Sequence, residues 1–145
     1  MNTEPFVIER TYNVPVNTVW QALTDKDKMK EWYFPIDSFK PEVGFEFQFS
    51  ASNKDMTYLH LCKITEVIPG KKLAYSWRYK DYPGYSVVSF ELFAEGDKTR
   101  LKLTHTGLET FPQDKTDFAR ESFAAGWTYI VGTGLDKYLA KTEKV

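Results

Sequence analysis

The chain has 145 residues, the length of one domain, and long enough to bury roughly two thirds of its unfolded surface. Nineteen Lys and Arg stand against twenty Asp and Glu, for a net charge of -1. That balance excludes a protein built to neutralise nucleic-acid phosphates, and it excludes a polybasic membrane anchor. Phe, Tyr and Trp together make up 17% of the chain, a heavy aromatic load that points to a large apolar interior. The one cysteine, Cys62, has no partner for an internal disulfide, so the chain needs no oxidising compartment. Met1 to Pro5 carries neither the basic nor the apolar region of a signal peptide. No apolar run approaches the roughly 18 residues of a membrane span. The expectation is one domain over residues 1–145, located in the cytoplasm.

Phe6 to Tyr12 reads as a strand with Ile8, Arg10 and Tyr12 on one face. Pro15 stops it, and Asn17 is placed to cap a short helix carrying Val19, Trp20 and Leu23. Asp25 caps a second short helix that presents Met29 and Trp32. Pro35 and Pro41 bracket a loop. From there the chain alternates. Val43, Phe45, Phe47 and Phe49 share one face, and an extended stretch runs from Tyr58 to the turn at Pro69-Gly70. Leu73, Tyr75, Trp77 and Tyr79 alternate with Ala74, Ser76 and Arg78 up to Pro83-Gly84. Val88, Phe90 and Leu92 follow, then a turn at Glu95-Gly96-Asp97, then Leu101, Leu103 and His105. Short turns between such runs favour antiparallel pairing.

After Gly107 the period changes to that of a helix. Phe118, Phe123, Trp127, Ile130, Val131, Tyr138 and Leu139 lie near one stripe, with Asp114 or Thr116 placed to cap its start. Gly126, Gly132 and Gly134 inside this helix mark a bend or the close approach of another element, with Gly126 expected beside a tight contact at Trp127. Lys141 to Val145 reads as a frayed tail. A single antiparallel sheet with one long helix has to bury the helix against one sheet face, which makes the fold α+β.

Several stretches carry a resemblance: Arg10-Thr11-Tyr12-Asn13-Val14-Pro15, Val19-Trp20-Gln21-Ala22-Leu23-Thr24-Asp25, Met29 and Trp32. Glu66-Val67-Ile68-Pro69, Leu73-Ala74-Tyr75-Ser76-Trp77 and Val88-Ser89-Phe90-Glu91-Leu92 continue it. Thr99-Arg100-Leu101-Lys102-Leu103-Thr104-His105-Thr106-Gly107 and Gly126-Trp127 close it. Their order resembles the START-like (SRPBCC) superfamily, and within it the homologues of the heat shock protein 90 ATPase activator. The resemblance implies a helix-grip fold. A curved antiparallel sheet of about six or seven strands wraps a long C-terminal helix, with two short helices after the first strand and a cavity between sheet and helix. Ser50 to Met56 is short and polar, a departure at the mouth of that cavity.

The phase of the alternation places Phe45, Phe47, Phe49, His60, Cys62, Ile64, Tyr75, Trp77, Tyr79, Phe90, Leu92, Leu103 and His105 inside. We expect a cavity lined by Phe47, Phe49, Trp77, Phe90, Phe123 and Trp127, with His60, Tyr79 and His105 also facing the ligand. Arg10 and Glu66 are the polar residues expected inside, as an internal salt bridge or as polar anchors for an acidic or carbonyl-bearing ligand. His60 and Cys62 share a strand face, but no cluster of metal-ligand spacing surrounds them, so no metal and no cofactor are expected. His105 reads as a hydrogen-bonded core residue rather than a catalyst. There is no G-x-S-x-G, no P-loop and no G-x-G-x-x-G, and no catalytic residue is assigned.

The leading function is binding of a small, largely apolar or aromatic molecule in the grip. The alternatives are an enzyme of the cyclase or hydrolase type on the same fold, and a co-chaperone-like stress-response protein. The last is weakened by the strand at Phe6, which leaves no room for the N-terminal domain that the eukaryotic activator uses. No nucleic acid and no membrane insertion are expected as partners; a homodimer is left open.

Overall fold

The computed structural model describes residues 5–33, 36, 39–53, 56–112, 118 and 120–143. The period-two stretches form six antiparallel strands: β1 (Phe6–Tyr12), β2 (Glu46–Asn53), β3 (Met56–Ile68), β4 (Lys72–Tyr79), β5 (Ser86–Glu95) and β6 (Lys98–Thr106). They make one curved sheet in the order β1-β6-β5-β4-β3-β2. β1 leaves its neighbour in sequence and closes onto β6, pairing Phe6 with His105 and Tyr12 with Thr99. The turns fall where glycine was expected to break the pattern. Gly84 has φ of 119°, and a Cβ there would lie 2.4 Å from the Phe111 ring, so only glycine fits.

Two short helices follow β1. α1 (Val16–Thr24) buries Val19, Ala22 and Leu23. Its cap residue is Pro15, not Asn17, which lies inside the helix; proline supplies no N–H that needs a partner there. α2 (Lys26–Trp32) is capped as expected, with the Asp27 N–H donating to the Asp25 carboxylate at 2.9 Å, and it buries Met29 and Trp32. The Trp32 indole donates to the Ala22 carbonyl at 2.9 Å and ties the two helices together.

The C-terminal helix runs as α3 (Arg120–Tyr129), a π-helical segment (Ile130–Leu135) and α4 (Asp136–Glu143). Helical structure thus covers much of the expected tail, reaching Glu143. Phe123, Trp127, Val131, Leu135 and Leu139 are buried, a strict four-residue repeat. In a straight α-helix such a repeat overshoots one turn by about 40° each time. The wider π turn takes up part of that overshoot and keeps the row facing the sheet. Tyr12 ties this segment to β1, its hydroxyl donating to Val131 O at 2.6 Å. Two glycines sit at close approaches: a Cβ on Gly134 would lie 3.1 Å from the backbone oxygen of Trp32, and one on Gly132 3.3 Å from Nε of the Arg10 side chain. Gly126, expected beside a tight contact, faces open space instead. The candidate caps Asp114 and Thr116, and Pro35, lie outside the described residues.

The result is an α+β helix-grip arrangement, with the core between the concave sheet face and the C-terminal helix. No helix among the described residues is long and apolar enough to cross a membrane.

Candidate functional site in the grip

Alternation along β2 to β6 and the four-residue row on the helix aim their aromatic side chains at one volume. Phe47, Phe49, His60, Trp77, Tyr79, Phe90, His105, Phe123 and Trp127 are all buried there. Phe49 stacks on His60, with centroids 4.5 Å apart at 15°. Trp77 meets the His60 ring edge-on at 4.9 Å and the Trp127 indole at 5.4 Å. Phe90 packs against Trp127 at 6.0 Å, and Phe123 against His105 at 5.4 Å. Phe47 joins through Tyr75, at 5.0 Å. Among the described residues these rings pack on one another across the volume where a cavity is expected. The space left among Leu23, Met29, Trp32, Tyr33, Leu73, Tyr75 and Phe90 is too narrow to admit a water molecule. Tyr33 lines the α2 side of this space, with its ring 6.2 Å from the Trp127 indole. Wider depressions are open and lie outside it. One of about 750 Å³ runs past Asp25, Lys26, Asp27, Lys28 and Lys40. Another, of about 510 Å³, lies beside Ile68, Leu92 and Phe93.

The polar atoms in this interior form ordered chains. The Trp127 indole N–H donates to His105 Nδ1 at 3.0 Å. An indole nitrogen can only donate, so Nδ1 is the acceptor and the imidazole proton sits on Nε2. Nε2–H then donates to Ser86 Oγ at 2.8 Å, and Ser86 donates to the Trp77 carbonyl at 2.7 Å. His105 is wholly buried, and burial lowers its pKa to about 3. His60 uses Nδ1–H to donate to Tyr58 O at 3.1 Å, and burial lowers its pKa to about 4. Both rings are therefore neutral at pH 7. The Trp77 indole donates to Tyr79 OH at 2.9 Å, and the Tyr33 and Tyr75 hydroxyls share a bond of 2.7 Å. Among the described residues, no buried side-chain nitrogen or oxygen is left without a partner.

Ser86 beside His105 has the spacing of a nucleophile and its base, but the tautomer is wrong for that work. A general base must present a lone pair to the hydroxyl. Here the lone pair points at the Trp127 indole, and Nε2 presents a proton. No carboxylate orients the ring; the indole does. The pair as built holds structure and does not activate oxygen.

Arg10 and Glu66 are not brought together. A β-bulge adds Thr65 to β3 between Ile64, opposite Tyr75, and Glu66, opposite Ala74. One extra residue flips the face, so Glu66 points outward and pairs with Lys72 at 3.1 Å on the half-exposed surface. Arg10 is exposed at the rim of the grip, donating to Glu9 O at 2.8 Å and lying against Gly132. Cys62 is buried, and burial raises its thiol pKa far above the usual value. No metal-binding group of three His, Cys, Asp or Glu occurs among the described residues.

Sequence reasoning did not single out Tyr33 or Ser86. Ser86 stands in phase with Val88, Phe90 and Leu92, a signal that was available. Tyr33, a single residue beyond a helix end, has no period to betray it.

The family model of the Activator of Hsp90 ATPase homolog 1-like proteins matches residues 13–140. The chain belongs to that family. Among solved structures, protein MLL2253 from Mesorhizobium loti is 30% identical, with a TM-score of 0.78, covering 96% of this chain and 98% of that one. Protein CV1439 from Chromobacterium violaceum shares the fold at 16% identity and a TM-score of 0.79, covering 94% and 96%. CalU16 from Micromonospora echinospora shares it at 23% identity and a TM-score of 0.72, covering 97% of this chain and 78% of its own. No curated protein matches the chain. The family fold commonly binds hydrophobic ligands.

Proposed function

We propose that the protein binds a small, largely apolar molecule with an aromatic ring between the sheet and the C-terminal helix. The observation that carries this reading is the convergence of nine aromatic and imidazole side chains on one volume whose polar tips are already satisfied. Such a surface offers a guest stacking area without an unpaired polar group to desolvate. The packing of these rings on one another adds a condition: the guest enters by displacing a ring. Ligand affinity then comes mainly from the aromatics. Trp77→Ala is expected to weaken an apolar ligand more than His105→Gln does.

The test is extraction of purified protein into organic solvent, followed by mass spectrometry for a stoichiometric small molecule. Titration with an apolar dye, read by quenching of the tryptophans, accompanies it. A co-purified aromatic compound, or saturable quenching that Trp77→Ala weakens, supports the reading. No bound compound together with no saturable quenching overturns it.

A further inference from the structure

Tyr33 follows the last residue of α2 and is half-buried at the edge of the ring cluster. Its ring lies nearly parallel to the Trp127 indole, 6.2 Å away at 14°. Phe49 meets the same ring at 5.7 Å. The other rings against Trp127 named above, Trp77, Phe90 and His105, all come from the sheet. The Tyr33 hydroxyl reaches Tyr75 OH at 2.7 Å, and Tyr75 is 1% exposed. The narrow unfilled space described above runs alongside both tyrosines.

We propose that Tyr33 is a built-in stand-in for the ligand: the site takes a planar hydroxyaromatic molecule whose ring replaces Tyr33 against Trp127 and whose hydroxyl takes over its bond to Tyr75. The proposal deepens the binding reading above and rests on it. A parallel, offset ring on an indole face is the arrangement an aromatic guest adopts there. The hydroxyl requirement follows from Tyr75. Expelling Tyr33 with a purely apolar guest leaves a buried hydroxyl short of a partner, whereas a phenol restores the bond. Half-exposure supplies the route. Trp127, Phe49 and Tyr75 are buried in the core, whereas Tyr33 keeps part of its surface in solvent. The slot it vacates is walled by apolar rings, the kind of cavity that holds a benzene-sized guest.

The probes are p-cresol and toluene, titrated into the whole protein and read by tryptophan fluorescence and calorimetry. Tyr33→Ala is expected to bind p-cresol at least about tenfold more tightly than the unaltered protein, because no ring has to be expelled. The same variant is expected to favour p-cresol over toluene by about fivefold, and Tyr75→Phe added to it should erase that preference. Unchanged affinity for p-cresol in Tyr33→Ala, or equal binding of p-cresol and toluene, overturns the proposal. Should Tyr33→Ala lose its near-ultraviolet circular dichroism, Tyr33→Phe carries the test. Without its hydroxyl the plug is held less firmly and Tyr75 is left unpaired, so p-cresol affinity should rise about fivefold; no rise overturns the proposal. Saturable dye binding with no gain for p-cresol sinks the stand-in and leaves the binding reading standing. Absence of dye binding in the unaltered protein and in the variants sinks both.

Discussion

At the β5–β6 end of the ring cluster, a chain of hydrogen bonds runs from the Trp127 indole through His105 and Ser86 to the Trp77 carbonyl. Each member has one role that the tautomer fixes, and the chain ends on backbone. At the α2 end, two tyrosine hydroxyls bond to each other, and one of them belongs to a half-buried ring. The same kinds of side chain thus do opposite things. One end frames the helix against the sheet, and the other holds a ring that, in the reading proposed above, a guest of similar shape replaces.

The difference is broken or sharpened first by deleting the two rings that stack on each other. Trp127→Ala removes a buried indole and leaves His105 Nδ1 without its donor, so the loss should be about 3–5 kcal/mol. Tyr33→Ala removes a half-buried ring and should lose less than about 2 kcal/mol. Urea unfolding measures both. Equal losses would mean that Tyr33 is as much a part of the frame as Trp127.

Acid probes the framed end next. The folded pKa values of His105 and His60 lie near about 3 and about 4, below the usual 6.5 of imidazole. Above about pH 6.5 neither state binds the proton and stability is flat. Below it, the unfolded chain takes up protons that the folded chain refuses, so stability falls as pH falls. The slope approaches about 1.4 kcal/mol per pH unit for each histidine. Urea midpoints between about pH 7 and about pH 5 test this, ahead of most carboxylates. His105→Gln should remove one histidine's share of the slope; a flat profile in the unaltered protein would contradict two buried neutral rings.

Ser86→Ala takes away the acceptor of the His105 Nε2 proton and should lose about 1–3 kcal/mol. Its effect on turnover is the sharper readout. The imidazole presents a proton to Ser86, so a panel of ester substrates should show no hydrolysis that depends on Ser86 or His105. Hydrolysis abolished by Ser86→Ala, with the fold intact by circular dichroism, would mean that the tautomer inverts with substrate bound and that the framed end is catalytic.

The sheet was legible because alternation is a local signal: Phe47, Phe49, Trp77, Tyr79, Phe90 and His105 all lie on the face their phase predicts. The Asp25 cap was legible for the same reason, since a carboxylate two residues before an N–H acts within one turn. Three features were not. The π-helical segment is set by tertiary contacts, where Gly132 and Gly134 let Arg10 and Trp32 approach. Tyr33 joins the ring cluster from a helix end, where no periodicity exists to predict its direction. The bulge at Thr65 carries no residue signature, yet it reverses the face of everything after it, and so the expected Arg10–Glu66 pair does not form.

That reversal yields the smallest and most discriminating effect. Glu66 and Lys72 form a pair that is 46% and 30% exposed, on the outer face of the sheet. An exposed pair of this kind contributes at most about 0.5–1 kcal/mol, and salt screens it. Glu66→Gln should therefore shift the urea midpoint barely, lose that shift in high salt, and leave dye affinity in the grip unchanged. Arg10→Gln differs in place, because its guanidinium lies at the rim against Gly132, on the same sheet face as the ring cluster. If Glu66→Gln instead weakens dye binding as much as Trp77→Ala does, the carboxylate reaches the interior in solution. The bulge would then fail to hold the register that separates the outer face from the grip.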